Sequence, residues 1–157
     1  MANKYIFTIL LLALCVLTVG SISNGSKQTV VTKTVVVTTA ISHAELKHYL
    51  KQVNVKFPNI VYAQAVLETG NFTSNVFIDN NNLFGMRMSS NRPTTALYAN
   101  NNYAVYKSWQ ESVLDYALYQ AYYFDAIQTE EDYYKALKNY AEDSLYIKKI
   151  SNIAKQF

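Results

Sequence analysis

The pattern of polar and apolar positions from Ser42 onward predicts a helical domain. Ser42 and Glu45 have the spacing of a capping box, in which each side chain accepts a hydrogen bond from the other residue's backbone N–H. A first helix is therefore expected from about His43 to Val53.

A second helix is expected over about 59–68, directly after Pro58, a residue favoured in the first helical turn. Its side chains are apolar nearly all round, which is typical of a helix in the centre of a domain. Gly70 is a suitable stop, because glycine readily adopts the left-handed angles that follow many helices. The buried helix would then end in a carboxylate, Glu68.

The segment 71–108 differs from the preceding helices and is rich in Asn. Two short runs, 97–98 and 103–106, flank three consecutive Asn residues at 100–102. Apolar and aromatic runs on either side of such a cluster predict a β-hairpin with an Asn-rich turn.

Three more helices are expected after the hairpin. Ser108 and Glu111 have the spacing of a second capping box and predict a helix through about Phe124. Another should span about 130–139, and the last should follow residues 143–144. The predicted fold class is α+β and predominantly helical, with four or five helices and a small β-hairpin lobe inserted after the buried second helix.

The residues before the domain predict export. Lys4 precedes an apolar run from Ile6 to Val19, so residues 1–22 are interpreted as a signal peptide or an uncleaved membrane anchor. Residues 23–41, rich in Ser, Thr and Val, are interpreted as an extended linker. The domain should occupy 42–157 and act in the periplasm, in the cell envelope or outside the cell.

Composition excludes several classes of site. The net charge is only +3, far from the basic stripe of a nucleic-acid binder. The single cysteine, Cys15, lies in the leader, so the chain can form neither an internal disulfide nor a Cys-based metal site. The two histidines, His43 and His48, are not spaced to share one helix face. We therefore expect no metal and no other cofactor.

Glu68 is the first candidate for chemistry. At the end of a buried helix its carboxyl group is poorly solvated, which disfavours the ionised form and should raise its pKa. A carboxylic acid that stays protonated near neutral pH can donate a proton to a glycosidic oxygen. From the residues alone, the interpretation of Glu68 as a solvated glutamate at a helix end also remains open.

Four motifs between residues 42 and 157 lie at Ala63–Gly70, Asn81–Arg87, Tyr106–Tyr116 and Tyr140–Lys149. In order and spacing they resemble the motifs of the glucosaminidases of glycoside hydrolase family 73, in the lysozyme-like superfamily. The first is similar to the family's Ala-Gln-x-x-Leu-Glu-Ser/Thr-Gly and the second to Asn-Asn-Leu-Phe-Gly-Ile/Met-Lys/Arg. A lone Leu-Glu-Thr-Gly would be weak, but the four together are specific.

The resemblance implies a lysozyme-like fold with a cleft between a helical body and a β-lobe. It implies hydrolysis of the β-1,4 bond between N-acetylglucosamine and N-acetylmuramic acid in peptidoglycan, with Glu68 as the catalytic acid and Tyr106 as the active-site tyrosine. Five residues in or beside the motifs are candidate substrate contacts: Gln64, Phe72, Asn82, Phe84 and Trp109. Asn82 and Phe84 also suit a structural role in the turn.

A second carboxylate is missing from the expected β-lobe. Many glycosidases use two carboxyl groups, but residues 85–110 contain neither Asp nor Glu. Asp79, which lies between the first two motifs, is a candidate base, although a turn-capping Asp is the plainer interpretation. Two mechanisms remain open: attack by the substrate's own 2-acetamido group, with Tyr106 orienting that amide, or attack by water assisted by Asp79 or a distant carboxylate.

Two alternative functions also remain open. A lytic transglycosylase would cut the same polymer by intramolecular attack, and a non-catalytic module would bind peptidoglycan without cutting it. In each case the expected partner is the glycan strand, and no nucleic acid is expected. We expect a monomer that contacts a membrane only through its leader, if the leader is uncleaved.

Overall fold

A computed structural model of the protein describes residues 41–138 and 145–157. These residues form six helices and one two-stranded sheet: α1 (His43–Gln52), α2 (Pro58–Glu68), α3 (Asn75–Asn80), β1 (Tyr98–Asn100), β2 (Tyr103–Val105), α4 (Trp109–Tyr123), α5 (Glu130–Leu137) and α6 (Tyr146–Ala154). The predicted leader 1–22, the linker 23–41 except Ile41, and the first residues of the last motif lie outside the described residues. The described part is mostly helical α+β, which confirms the predicted fold class. No helix within it has the length and hydrophobicity that crossing a membrane requires.

Of the two predicted capping boxes, only the first is formed. Ser42 Oγ accepts a hydrogen bond from the Glu45 backbone N–H at 3.2 Å, and Glu45 Oε2 accepts one from the Ser42 N–H at 2.9 Å. Ser108 is the N-cap of α4, as predicted, but its side chain makes no capping bond. The prediction of a second capping box is therefore wrong: the carbonyl of Ser108 closes the first turn instead, accepting from the N–H groups of Glu111 and Ser112.

The central helix α2 packs against α1 and α6 and supplies much of the core. Six of its residues are buried: Ile60, Val61, Tyr62, Ala63, Gln64 and Ala65. Gly70, with φ +55°, follows the helix, and the N–H of Asn71 donates to the carbonyl of Val66 at 2.8 Å. These are features of a Schellman motif, which fixes the end of a helix. Glu68 is therefore the last residue of a buried helix whose C-terminal end is held in place by backbone hydrogen bonds.

A short helix in the Asn-rich segment, α3, was not among the four or five predicted. Its N-cap, Ser74, accepts a hydrogen bond from the Phe77 N–H at 3.3 Å, and Asn81 ends it with φ +53°. Six residues make less than two turns, too few to produce a visible hydrophobic period. The predicted count of helices is therefore wrong by at least one.

The predicted hairpin is confirmed. β1 and β2 are antiparallel, with Tyr98 opposite Val105 and Asn100 opposite Tyr103. The turn residues Asn101 and Asn102 have φ +48° and +68°. Positive φ at both central residues is the geometry of the two-residue hairpin turn that matches strand twist, and Asn tolerates it better than most residues.

Candidate active site

Glu68 lines an open cleft of about 600 Å³. One wall is formed by segment 82–92, and Tyr103 of the hairpin contributes to the lining. The lining also includes Tyr119 and Tyr123, one helical turn apart on α4. Residues from the helical body and from the β-lobe thus meet around a single carboxyl group.

The two oxygens of Glu68 have different surroundings. Oε1 accepts a hydrogen bond from the hydroxyl of Tyr146 on α6 at 2.8 Å. Oε2 lies on the side of Gly85, where a methyl group built on that glycine would be 3.9 Å away. Burial raises the pKa of Glu68, and the bond from Tyr146, which favours the ionised form, only partly offsets that effect. The predicted direction of the pKa shift is confirmed.

This arrangement determines where the acid carries its proton. The carbonyl oxygen of a neutral carboxyl group is the better acceptor, so the bond from Tyr146 to Oε1 favours a neutral Glu68 that carries its proton on Oε2. Oε2 is the oxygen next to Gly85 at the cleft wall. A proton held there is available to a group bound in the cleft.

The wall beside Glu68 is fixed by the side chain of Asn82. Asn82 Nδ2 donates to the carbonyls of Met86 at 2.8 Å and Ala104 at 2.9 Å, and Asn82 Oδ1 accepts from the Met86 N–H at 3.0 Å. The Ala104 N–H also donates to the Met86 carbonyl, at 2.9 Å. Gly85, with φ +62°, makes the turn between these anchors, an angle that a residue with a Cβ adopts at a cost. Asn82, predicted as a substrate contact, lines the cleft while shaping the wall.

Phe84 and Gln64, two other candidate contacts, belong mainly to the core. Phe84 lines the cleft but is only 1% exposed, and its ring stacks on Tyr116 with centroids 4.2 Å apart. Gln64 has no exposed surface: its Oε1 accepts hydrogen bonds from the hydroxyls of Tyr116 at 2.8 Å and Tyr133 at 3.3 Å. Burial raises the pKa of Tyr133 to about 12, so this tyrosine stays neutral and continues to donate.

Four more predicted site residues do not line the cleft. Phe72 is partly buried and packs against His43, with ring centroids 4.9 Å apart. Trp109 is buried at the start of α4. Asp79 is exposed on α3. Tyr106, the expected active-site tyrosine, has no exposed surface.

Tyr106 instead belongs to a buried ionic cluster that reaches the cleft lining only through Arg92. Its hydroxyl donates to Asp115 Oδ2 at 2.8 Å, and Arg92 donates to both oxygens of the same carboxylate, at 2.8 and 3.0 Å. Burial opposes the charge of Asp115, but the bonds from Arg92, Thr94 and Tyr106 outweigh it and lower the pKa of that carboxyl. The cluster ties the loop around Arg92 to α4.

Sequence reasoning assigned no site role to two groups of residues that the structure brings to the site. Tyr146 and Arg87 belong to the recognised motifs, which was the available signal, but no role was predicted for them. Tyr119 and Tyr123 were not among the candidate site residues, although their spacing of four places them on one helix face. Among the described residues, no three His, Cys, Asp or Glu side chains form a group that could hold a metal ion.

The domain is a glycoside hydrolase: residues 43–157 match the family described as "Mannosyl-glycoprotein endo-beta-N-acetylglucosaminidase". The match covers most of the chain, which therefore belongs to the glucosaminidase family, and the resemblance inferred from the four motifs is confirmed. Comparison with curated proteins gives no match. Among solved structures, the chain is similar to the catalytic domain of the autolysin Auto from Listeria monocytogenes, with 25% identity, a TM-score of 0.49, and coverage of 73% of this chain and 78% of that one.

Proposed function

We propose that the protein is an endo-β-N-acetylglucosaminidase that cleaves peptidoglycan at the bond between N-acetylglucosamine and N-acetylmuramic acid. Membership of the glucosaminidase family supports the class of reaction. The observation that carries the proposal is the carboxyl group of Glu68, whose raised pKa and free Oε2 suit a proton donor at an open cleft. The export signal expected in residues 1–22 would deliver the enzyme to the wall.

The chemical step begins with proton transfer. Glu68 Oε2 gives its proton to the glycosidic oxygen while the bond from C1 to that oxygen breaks. The carboxylate that results keeps the hydrogen bond from Tyr146 on Oε1, which stabilises the new charge. Water later attacks C1, and Glu68 takes a proton from that water, which returns the enzyme to its starting form.

We propose that the 2-acetamido group of the substrate, rather than a second carboxylate, attacks C1. Among the described residues that line the cleft, Glu68 is the only acidic one. Asp115 is held in its ion pair with Arg92, and Asp79 lies on α3 outside the lining. The acetamide oxygen forms a bond to C1 as the leaving oxygen departs, and the cyclic oxazolinium ion that forms is then opened by water.

The role first expected for Tyr106 is given up in this proposal. Its hydroxyl donates to Asp115 and its side chain is fully buried, so it is not placed to touch an acetamide in the cleft. Tyr106 acts instead through the position of the wall. Its backbone N–H donates to the carbonyl of Asn80 at 2.9 Å, which joins the end of α3 to the end of the hairpin.

Product analysis tests the proposed bond specificity. Purified peptidoglycan is digested by the full chain, the products are reduced with borohydride, and the fragments are identified by mass spectrometry. Reduced N-acetylglucosamine ends are the expected result. Reduced muramic acid ends would identify a muramidase, and anhydro-muramic ends a lytic transglycosylase; binding to peptidoglycan without any product would identify a binding module.

Replacing Tyr146 with Phe should shift the pH profile toward alkali. The hydroxyl of Tyr146 lowers the pKa of Glu68, so its removal raises that pKa further. Glu68 must be protonated to act, so activity is lost as the pH rises through its pKa, and this alkaline limb should move to higher pH. The measurement is kcat/KM against pH for both proteins. Tyr134→Phe, a second tyrosine in the helical body, is the control; an unmoved alkaline limb in Tyr146→Phe would contradict the assignment.

A further inference from the structure

Arg87 is an exposed cation at the cleft without an acidic partner in the described part of the chain. It lines the cleft together with Glu68, and it lies two residues after Gly85 in the chain. The ion pairs among the described residues join Arg92 to Asp115 and Lys135 to its neighbours on α5. No described carboxylate neutralises Arg87.

The position of Arg87 is set by a rigid segment. Met86 is bonded through both its N–H and its carbonyl, to Asn82 and to the hairpin residue Ala104. Gly85 faces Glu68 Oε2, and two residues span at most about 7 Å. Arg87 therefore follows closely on the part of the wall that faces the acid, and it lines the same cleft as Glu68.

The other charged residues that line the cleft do not cancel the positive charge of Arg87. Arg92 is paired with Asp115 and its charge is compensated. Glu68 must be protonated, and is therefore neutral, in the form that donates its proton. The ligand that enters therefore meets a net positive wall, and an unpaired arginine binds a carboxylate with two parallel hydrogen bonds.

We propose that Arg87 binds a carboxylate carried by the muramoyl residue and so makes the cleft selective for peptidoglycan over neutral N-acetylglucosamine polymers. The inference rests on the proposed function. Two sources supply this chemistry: the lactyl carboxylate, which is free where the stem peptide has been removed, and the carboxylates of the stem peptide itself. Chitin oligosaccharides share the β-1,4 linkage and the acetamido groups but carry no carboxylate.

Three ligands separate these sources: chitohexaose, glycan strands stripped of peptide by an amidase, and strands with intact stem peptides. Hydrolysis is measured with the full chain as wild type and Arg87→Gln, and binding by calorimetry in the Glu68→Gln background, where the ligand is not consumed. Arg87→Gln should weaken binding and lower kcat/KM about tenfold on the carboxylate-bearing ligands and leave chitohexaose unchanged. A loss confined to stripped strands assigns the lactyl carboxylate, and a loss confined to intact strands assigns the peptide.

Lys107→Gln is the matched control, because Lys107 is also exposed and positively charged but does not line the cleft. It should leave all three ligands unaffected, and Arg87→Lys should recover only part of the loss, since lysine keeps the charge without the planar pair of donors. The wild-type preference for carboxylate-bearing ligands should also shrink at high salt. Equal losses on all three ligands, or none, would overturn the inference while leaving the proposed function standing. A wild type that neither binds nor cuts any of them would overturn the proposed function and the inference together.

Discussion

Replacing Glu68 with glutamine is expected to lower kcat on peptidoglycan by roughly a hundredfold to ten-thousandfold, the usual contribution of a positioned general acid. Glutamine has the same size and can still accept the hydrogen bond of Tyr146, but its amide has no acidic proton for the glycosidic oxygen. The fold should be unaffected, because the side chain lies at the end of α2 and only partly in the core. The measurements are the release of reducing ends and the thermal midpoint of unfolding.

Asp79→Asn is the matched control for Glu68→Gln, since it removes a carboxylate from α3 outside the cleft lining. With the substrate's acetamide as the nucleophile, this variant should keep most of its activity. Equal and near-total losses in both variants would contradict the substrate-assisted mechanism and restore Asp79 as a base. An active Glu68→Gln variant would remove Glu68 from the mechanism altogether.

Replacing Asp115 with asparagine is expected to destabilise the folded domain by about 3–5 kcal/mol, the cost of leaving one charge of a buried pair without its partner. The side chain of Arg92 is 2% exposed and that of Asp115 is fully buried, so water cannot replace the missing charge. Tyr106 would also lose the ionised acceptor for its hydroxyl. Urea unfolding of the full chain at neutral pH gives the free energy of unfolding of each protein.

Two further measurements distinguish an ion pair from a general packing defect at Asp115. Removing both charges with Arg92→Met and Asp115→Leu should recover part of the stability, because no buried charge is then left alone. The pKa of Asp115 is lowered by folding, so its stabilising effect is complete above the ordinary aspartate pKa of about 4 and is lost as the pH falls through the lowered value. The gap between wild type and Asp115→Asn should therefore narrow in acid. A gap that is unchanged by pH would contradict the ionic origin.

Local signals in the sequence predicted most of the described elements. The capping box at Ser42, the glycine stop at Gly70 and the Asn-rich hairpin each depend on a few neighbouring residues, and each is present in the structure. The buried character of α2 was visible in its uniformly apolar sequence. The prediction of a second capping box was wrong because two residue types at the right spacing permit the side-chain bonds without enforcing them. At Ser108 the backbone carbonyl alone closes the first turn.

The candidate site was predictable only in part, because its geometry depends on contacts between distant segments. Glu68 and Tyr146 are 78 positions apart, and only the packing of α6 on α2 brings them together. The motif that contains Tyr106 identified an important residue but not the direction of its side chain, which turns toward Asp115 rather than the cleft. A motif states which residues matter, whereas the direction of each side chain is decided by tertiary packing.

The hydrogen bond from α6 to Glu68 has a consequence for the timing of activity. Ribosomes make the chain from its N-terminus, and an exported chain that emerges in the same order exposes Glu68 long before Tyr146. Until α6 docks on α2, the acid has neither the bond to Oε1 nor the burial that raises its pKa. The environment of the reactive carboxyl group is thus completed only when α6 has docked, so a chain in which α6 has not yet folded should have little activity.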